Sequence, residues 1–178
     1  MLHMKENKKK VLEVFFKFPL RNFYLREISR LTKISITAVK NYVKEFLKEK
    51  LIIEELGGIY PSFRSNRESD GGEFVFYKKM NNLENLRVSG LIDFIEENCA
   101  PLSIVFFGSS SKGEDIENSD LDLFVQSKEK KLDLSKFEKK FSREINLFFE
   151  KDFNQINKNL RNNILNGIVV GGYLQVFK

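Results

Sequence analysis

Two aspartates separated by one apolar residue, Asp120 and Asp122, are the side chains of this sequence best suited to do chemistry. They open the segment DLDLFV, residues 120–125, which has the composition of a strand. Because side chains alternate across a strand, both carboxylates share one face, about 6.7 Å apart along it. Two such carboxylates are unfavourable near each other unless a cation lies between them. Mg²⁺ fits that role, since it takes oxygen ligands from one or two carboxylates together with substrate phosphates.

A glycine-serine turn precedes the aspartates, at the end of an adjoining predicted strand. Residues 104–107 form a continuous apolar run, as expected for a strand buried on both faces, and the run stops at Gly108-Ser109. A residue without Cβ lets the backbone turn sharply and lie close to a ligand. The serines that follow, Ser109 to Ser111, are suited to starting a helix, whose free N–H groups attract phosphate. A glycine-serine turn or an Asp-apolar-Asp segment alone is weak evidence for a catalytic site. The two in this order, each next to an apolar strand, are much more specific evidence.

A P-loop is the obvious competing interpretation of the glycines, and the sequence excludes it. Four residues separate Gly108 from Gly113, as in that motif. The next two residues are Glu114 and Asp115, where a P-loop has Lys and Ser or Thr. The phosphate-binding lysine and the metal-binding hydroxyl are therefore both missing.

The combined pattern resembles the nucleotidyltransferases of the DNA polymerase β superfamily, in particular the minimal archaeal and bacterial kind. The resemblance rests on Phe107–Ser109 followed by Ser119–Asp122, and the segment Lys112–Glu114 is similar to the family's basic-Gly-Glu. It covers roughly residues 83–178. It implies an α/β fold around a mixed sheet, in which two Mg²⁺ (or Mn²⁺) ions guide transfer of a nucleotide from an NTP.

The resemblance also implies roles for individual residues. Asp120 and Asp122 would hold the metals and support catalysis, Gly108 and Ser109 would position the phosphates, and Lys112 would offset phosphate charge. In the family a third metal carboxylate follows on a later strand, and here that position is Asn146, within residues 143–149, REINLFF.

An amide oxygen can coordinate a cation, but it carries no charge and is not a base. Glu144 lies two residues before Asn146 on the same predicted strand face, so it is a candidate for the missing catalytic acid. A weak transferase and a nucleotide-binding fold without catalysis are the alternatives.

The positive charge of the chain is concentrated in its first third. Residues 1–60 hold 13 Lys/Arg and 7 Asp/Glu, a net charge of +6, whereas residues 61–178 hold 17 and 18, a net charge of −1. Such asymmetry suggests contact with a polyanion. The single cysteine, Cys99, cannot form an internal disulfide, and no signal peptide or long apolar span is evident, so we expect a cytoplasmic protein that does not enter a membrane.

The same region predicts a winged helix-turn-helix domain over residues 1–80. Apolar periodicity indicates a helix ending near Pro19, a second helix over residues 25–31, and a third that Ser35 caps. Strands at residues 51–55 and 73–77, with a long polar loop between them, would form the wing. Duplex DNA would then meet exposed residues of the third helix and the wing: Thr37, Lys40, Asn41, Lys44, Arg64 and Arg67. Protein contact or homodimerisation is the alternative use of such a domain.

For residues 81–178 the resemblance implies a nucleotidyltransferase-like domain. We expect a helix through Leu86 and Ile95, a helix through residues 134–141, a strand over 143–149, a helix over 154–166, and an apolar end that covers the sheet. The protein is therefore predicted to have two domains, of α+β and α/β type. Its function would be Mg²⁺-dependent transfer of an NMP group from an NTP to an acceptor hydroxyl on protein, RNA or a small molecule. The alternative is a DNA-binding regulator whose second domain binds nucleotide without turnover.

Overall fold

The chain divides into two compact units, Met1–Met80 and Asn81–Lys178. A computed structural model describes residues 4–67 and 72–177. Among these residues no helix is both long enough and apolar enough to cross a membrane.

The first unit is built from three helices and a hairpin. The helices are α1 (Glu6–Lys17), α2 (Leu25–Thr32) and α3 (Ile36–Lys48), and the strands β1 (Ile52–Glu55) and β2 (Ser62–Ser65) pair antiparallel. The three helices were predicted from apolar periodicity and are confirmed. The predicted cap of α3 is also present, because the backbone N–H of Ala38 donates to the Ser35 hydroxyl at 3.4 Å.

Phenylalanine dominates the core of this unit. Helix α1 buries Val11, Leu12, Phe15 and Phe16 on one face. The ring of Phe15 meets that of Phe23 edge to face, with the ring centroids 5.6 Å apart. Such pairs contribute beyond the apolar area that they bury.

The strand predicted at residues 73–77 is wrong, because helix α4 (Glu73–Ser89) occupies that stretch. Its 17 residues bury Phe74, Lys78 and Asn81, which are spaced by four and three positions as on one face of a helix. The partner of β1 is instead β2, within the tract that the sequence assigned to a loop. Arg64 therefore lies in a strand rather than in a loop.

The second unit contains a mixed sheet of four strands in the order β5-β4-β3-β6. The strands are β3 (Ser103–Phe107), β4 (Leu121–Val125), β5 (Ile145–Phe149) and β6 (Ile168–Gly172). Strand β3 is antiparallel to both β4 and β6, whereas β4 and β5 are parallel. The predicted mixed sheet is thus confirmed.

Helices cover both faces of this sheet, as the apolar run of β3 predicted. Ile104 and Phe106 pack on one side, in a core with Leu91, Ile95 and Phe137. Val105 and Phe107 pack on the other side, in a core with Phe153, Ile156 and Ile164. The helices of the unit after α4 are α5 (Leu91–Cys99), α6 (Gly108–Lys112), α7 (Ser135–Phe141) and α8 (Lys158–Leu165).

Three predicted elements of this unit take a different form. The helix expected through Leu86 and Ile95 is divided into α4 and α5 at Gly90, which has a φ of 80°. The helix expected over residues 154–166 becomes a 3₁₀ turn, Phe153–Gln155, followed by α8, because Asn157 caps α8 by accepting from the Leu160 N–H at 2.9 Å. The apolar end, expected to cover the sheet, does so only in part: Ile168–Gly172 forms its edge strand β6, whereas Leu174 and Val176 pack against the core on one face.

Candidate active site

The turn after β3 passes directly against the carboxylate of Asp122. The pairing of β3 with β4 places Phe107 opposite Asp122, so the next residue, Gly108, lies beside the Asp122 carboxylate. Gly108 has a φ of 76°, and a Cβ at this position would overlap the Asp122 Oδ2 atom and lie 3.3 Å from its Cγ. Two features therefore favour glycine here: the left-handed backbone conformation, and the close approach of the Asp122 carboxylate, which leaves no space for a Cβ.

Asn146 joins the two aspartates across the parallel pair of strands. Asp122 on β4 lies beside Asn146 on β5. The Asn146 Nδ2 donates to Asp120 Oδ2 at 3.2 Å and to Asp122 Oδ1 at 3.0 Å. Hydrogen bonds to carboxylates are stronger than those between neutral groups, so this amide offsets the repulsion between the aspartates.

The two aspartates form a pair of carboxylates that solvent reaches, with the Asn146 N–H groups directed at them. Asp120 is exposed, and Asp122 and Asn146 are half-buried. Carboxylate oxygens are ligands that Mg²⁺ and Mn²⁺ prefer, so the two aspartates fit a hard divalent cation. In the part of the chain that the structure describes, no three His, Cys, Asp or Glu side chains are grouped to hold a metal ion. The acidic side chains that this site offers to a cation are therefore the two aspartates.

The serines of the turn differ in what their hydroxyls do. Ser111 is buried and donates to the Gly108 carbonyl at 2.8 Å, which stabilises the turn itself. Ser110 is also buried and donates to the Asp120 carbonyl at 3.0 Å, which ties α6 to the start of β4. Ser109 is half-exposed, and Lys112 is exposed at the end of α6. Ser109 is thus the serine of the three whose side chain reaches solvent.

A buried polar network, which the sequence did not reveal, lies behind α6. The Asp115 side chain is fully buried and forms an ion pair with Arg143, with 2.6 Å between Oδ2 and Nη1. The same Nη1 donates to the Ser110 hydroxyl at 3.3 Å. The Asn82 amide donates at 2.8 Å both to Asp115 Oδ1 and to the Ser110 carbonyl. Asn82 and Arg143 lie 28 and 33 residues from Ser110, and the four residues share no motif, so no periodicity or spacing could have indicated the network.

Glu144, the predicted substitute for the third acid, lies just before β5. Its backbone carbonyl accepts a hydrogen bond from the Leu121 N–H at 3.0 Å, and the residue is exposed. Its catalytic role stays a prediction.

The predicted DNA-contacting residues of the first unit fall into two groups. Thr37, Lys40, Asn41 and Lys44 are all exposed on α3, at the spacing of one helix face. Arg64 on β2 instead pairs with Glu55 on β1, with 2.5 Å between Nε and Oε1, and this pair offsets its charge. Arg67 follows β2 and is half-buried. The α3 residues are therefore the better placed to meet a ligand.

A groove of about 740 Å³ also opens on the first unit. Its lining combines apolar and charged side chains from α2, the start of α3 and the hairpin: Tyr24, Leu25, Arg26, Glu27, Arg30, Ile36, Tyr60 and Pro61.

Comparison with known families finds a match within the second unit. Residues 89–172 match the family model described as Polymerase beta, Nucleotidyltransferase. The matched stretch contains the whole sheet and, with it, the turn at Gly108, both aspartates and Asn146. The nucleotidyltransferase part of the sequence prediction is confirmed, and this family in general transfers nucleoside monophosphates from NTPs with a divalent metal. Comparisons with curated proteins and with solved structures found no match.

Proposed function

We propose that the second unit is a metal-dependent nucleotidyltransferase, which moves an NMP group from an NTP to an acceptor hydroxyl. The observation that carries this proposal is the convergence of Gly108, Asp120 and Asp122 at one end of the sheet, within the stretch that matches the family. In the reaction the acceptor hydroxyl loses its proton to solvent and its oxygen forms a bond to the α-phosphorus. The bond from that phosphorus to the oxygen bridging to the β-phosphate breaks, and pyrophosphate leaves with that oxygen.

The residues of the site would divide this work between them. Asp120 and Asp122 would hold Mg²⁺ or Mn²⁺, with Glu144 as the candidate third acid. Gly108 and Ser109 would lie against the phosphates, where the missing Cβ permits close approach, and the exposed Lys112 would offset phosphate charge. When bound, the cation would supply charge stabilisation at the phosphates and activate the acceptor hydroxyl. The Asn146 amide is not a base, so this residue would orient groups rather than accept the acceptor's proton.

Asn146 also favours a second candidate function, in which the unit binds nucleotide without turning it over. Two carboxylates that share an amide N–H donor form a less negative site than three carboxylates would. Calorimetry with Mg-NTP and a pyrophosphate-release assay in the presence of protein, RNA and small-molecule acceptors separate the two functions. An enzyme gives binding and metal-dependent pyrophosphate, whereas a binding-only unit gives heat of binding but no pyrophosphate from any of the four NTPs.

For the first unit we propose a winged helix that binds duplex DNA in the cytoplasm. Three helices, a short hairpin and the exposed Lys40 and Lys44 on α3 support this proposal. Affinity should fall steeply with salt, because neutralised phosphates release counterions. Lys44→Ala should reduce the log–log salt slope by about one if Lys44 meets a phosphate. The matched control is Lys17→Ala, at the end of α1.

The alternative for the first unit is protein contact, including a homodimer. A chain that binds no duplex at low salt, and that sediments as a dimer, would overturn the DNA proposal in favour of this alternative.

A further inference from the structure

The buried network behind α6 holds an ion pair in a place where charge is costly. The Asp115 side chain is 0% exposed and that of Arg143 is 16% exposed. Removing two charges from water is expensive, and the attraction between them often does no more than offset that cost. Apolar side chains of similar size would often stabilise such a site equally well or better. Stability alone therefore does not account for an arginine and an aspartate at this position.

The geometry of the network indicates what the pair does. Arg143 Nη1 contacts both Asp115 and the Ser110 hydroxyl, and that hydroxyl in turn donates to the Asp120 carbonyl. Asn82 fixes the other side by donating to the Ser110 carbonyl and to Asp115. The network thus connects α6, directly after the Gly108 turn, to the backbone of the first metal-binding aspartate.

Arg143 is also close in sequence to the third residue of the site. Arg143 lies three residues before Asn146, at the entrance to β5. The backbone between them is joined to β4 where the Glu144 carbonyl accepts from the Leu121 N–H. One guanidinium therefore lies at the junction of the three segments that carry Gly108, Asp120 and Asn146.

We propose that Arg143 and Asp115 are positioning residues, which hold the turn after β3 and the Asp120 backbone at the spacing that a metal-bound nucleotide requires. This inference rests on the proposed function, in that the ligand is taken to be an NTP with its cation. Its basis is that one nitrogen, Nη1, contacts both partners: its N–H groups are fixed in the guanidinium plane, whereas those of a lysine ammonium rotate.

Four variants of the full chain test the proposal. Arg143→Met removes the guanidinium and leaves a buried carboxylate, so it lowers the melting temperature as well as affinity. Arg143→Met with Asp115→Asn removes both charges, and its melting temperature should recover toward that of the wild type. Arg143→Lys keeps the charge but not the planar N–H geometry of the guanidinium. Arg87→Met, at an exposed arginine of α4, is the control.

The decisive measurement is the affinity of the doubly substituted chain for Mn²⁺-ATP and Mn²⁺-GTP, by calorimetry. We expect the dissociation constant to rise at least tenfold while the melting temperature in EDTA returns to within a few degrees of the wild type, and we expect Arg143→Lys to restore affinity only in part. Unchanged affinity in the doubly substituted chain would overturn the positioning role.

A second readout separates this proposal from the proposed function. Amide hydrogen exchange over residues 103–122 reports whether the turn and the start of β4 are held together, whatever ligand they bind. The positioning role predicts faster exchange there in the doubly substituted chain, and unchanged exchange overturns it. A wild type that binds no Mn²⁺-NTP would contradict the proposed function, and the exchange result would still decide the role of Arg143 and Asp115.

Discussion

Replacing Asn146 with Asp is the most informative change at the candidate active site. In the wild type the Asn146 amide donates to Asp120 and Asp122 at 3.2 and 3.0 Å, so it acts as a neutral link between two anions. The substituted carboxylate would have almost the same volume as the amide but would turn both contacts from attractive to repulsive. Without metal, three carboxylates would crowd one end of the sheet.

The expected size of the effect follows from these contacts. A hydrogen bond to a charged group contributes about 1.5–3 kcal/mol, and two unit charges about 4 Å apart repel by about 1–4 kcal/mol between bulk water and a protein surface. Because solvent screens the contact with the exposed Asp120, we count only the contact with Asp122, at about 1.5 kcal/mol for the lost hydrogen bond and about 1 kcal/mol for the repulsion. We therefore expect a loss of about 2.5 kcal/mol in metal-free buffer. For a unit of this size, this corresponds to a drop in melting temperature on the order of 10–20 °C.

Added cation should reverse the sign of the effect. A third carboxylate beside a bound divalent ion is favourable, so Mg²⁺ or Mn²⁺ should stabilise Asn146→Asp by more than it stabilises the wild type. One well-placed charge in an active site is typically worth on the order of 10²–10³ in rate, so nucleotidyl transfer should increase by a comparable factor.

Thermal unfolding in EDTA measures the loss of stability without metal, and thermal unfolding across a Mn²⁺ titration measures the extra stabilisation by metal. Asn163→Asp, at an exposed position of α8, is the matched control and should change neither. The reasoning is refuted if Asn146→Asp melts like the wild type in EDTA and gains no extra stability from Mn²⁺, because the amide would then not lie between the two aspartates.

Two further predictions concern Gly108 and Cys99. Gly108→Ala and Gly90→Ala both place a side chain at a positive φ, which costs roughly 1–2 kcal/mol. Only Gly108→Ala should also weaken Mn²⁺ binding in calorimetry, because a Cβ at Gly108 meets the Asp122 carboxylate. A Cβ at Gly90 meets nothing within 4 Å. Equal Mn²⁺ affinities of the two variants would contradict the close approach of Gly108 to Asp122. Burial raises the pKa of the Cys99 thiol, against the smaller opposing effect of Lys130, so the thiolate fraction at pH 8 is low. Alkylation by iodoacetamide should therefore be slower at pH 8 than for glutathione and should accelerate as the pH passes 9; a faster reaction at pH 8 would contradict this.

The sequence predicted the centre of the second unit because its signals there are local. The uninterrupted apolar run of β3 indicated burial on both faces, and the structure packs alternate residues of that strand into two cores. The resemblance to the polymerase β superfamily placed Asn146 at the position of a third metal carboxylate, and the amide contacts both Asp120 and Asp122. Strand period alone put Asp120 and Asp122 on one face, and the link to Asn146 on another strand came from the resemblance.

The errors arose where local pattern and tertiary context disagree. Residues 73–77, EFVFY, have the β propensity of a strand, but they begin a helix whose inward face continues to Leu86. The true second strand of the hairpin, SFRS, looks like a polar loop, yet Ser62 and Ser65 are buried. The Ser65 hydroxyl donates to the Pro19 carbonyl, a long-range partner that no sequence window contains.

The network of Arg143 and Asp115 was missed for a related reason. Asp115 lies in the spacer between the turn and the aspartates, where a charged residue is ordinarily a solvated one. Its burial depends on Asn82 and Arg143, which come from α4 and from the entrance to β5. Only the packing of the whole unit brings these side chains together.

The most direct test of the central claim is the transfer of label from α-³²P-labelled NTPs. The full chain would be incubated with each NTP, with Mg²⁺ or Mn²⁺, and with an extract that contains protein, RNA and small-molecule acceptors, in parallel with Asp122→Asn. We predict a labelled product that requires the metal, appears with release of pyrophosphate, and is lost in Asp122→Asn. Absence of any labelled product from the wild type with all four NTPs, in a preparation that binds Mn²⁺-NTP by calorimetry, would contradict the transferase and leave a nucleotide-binding unit.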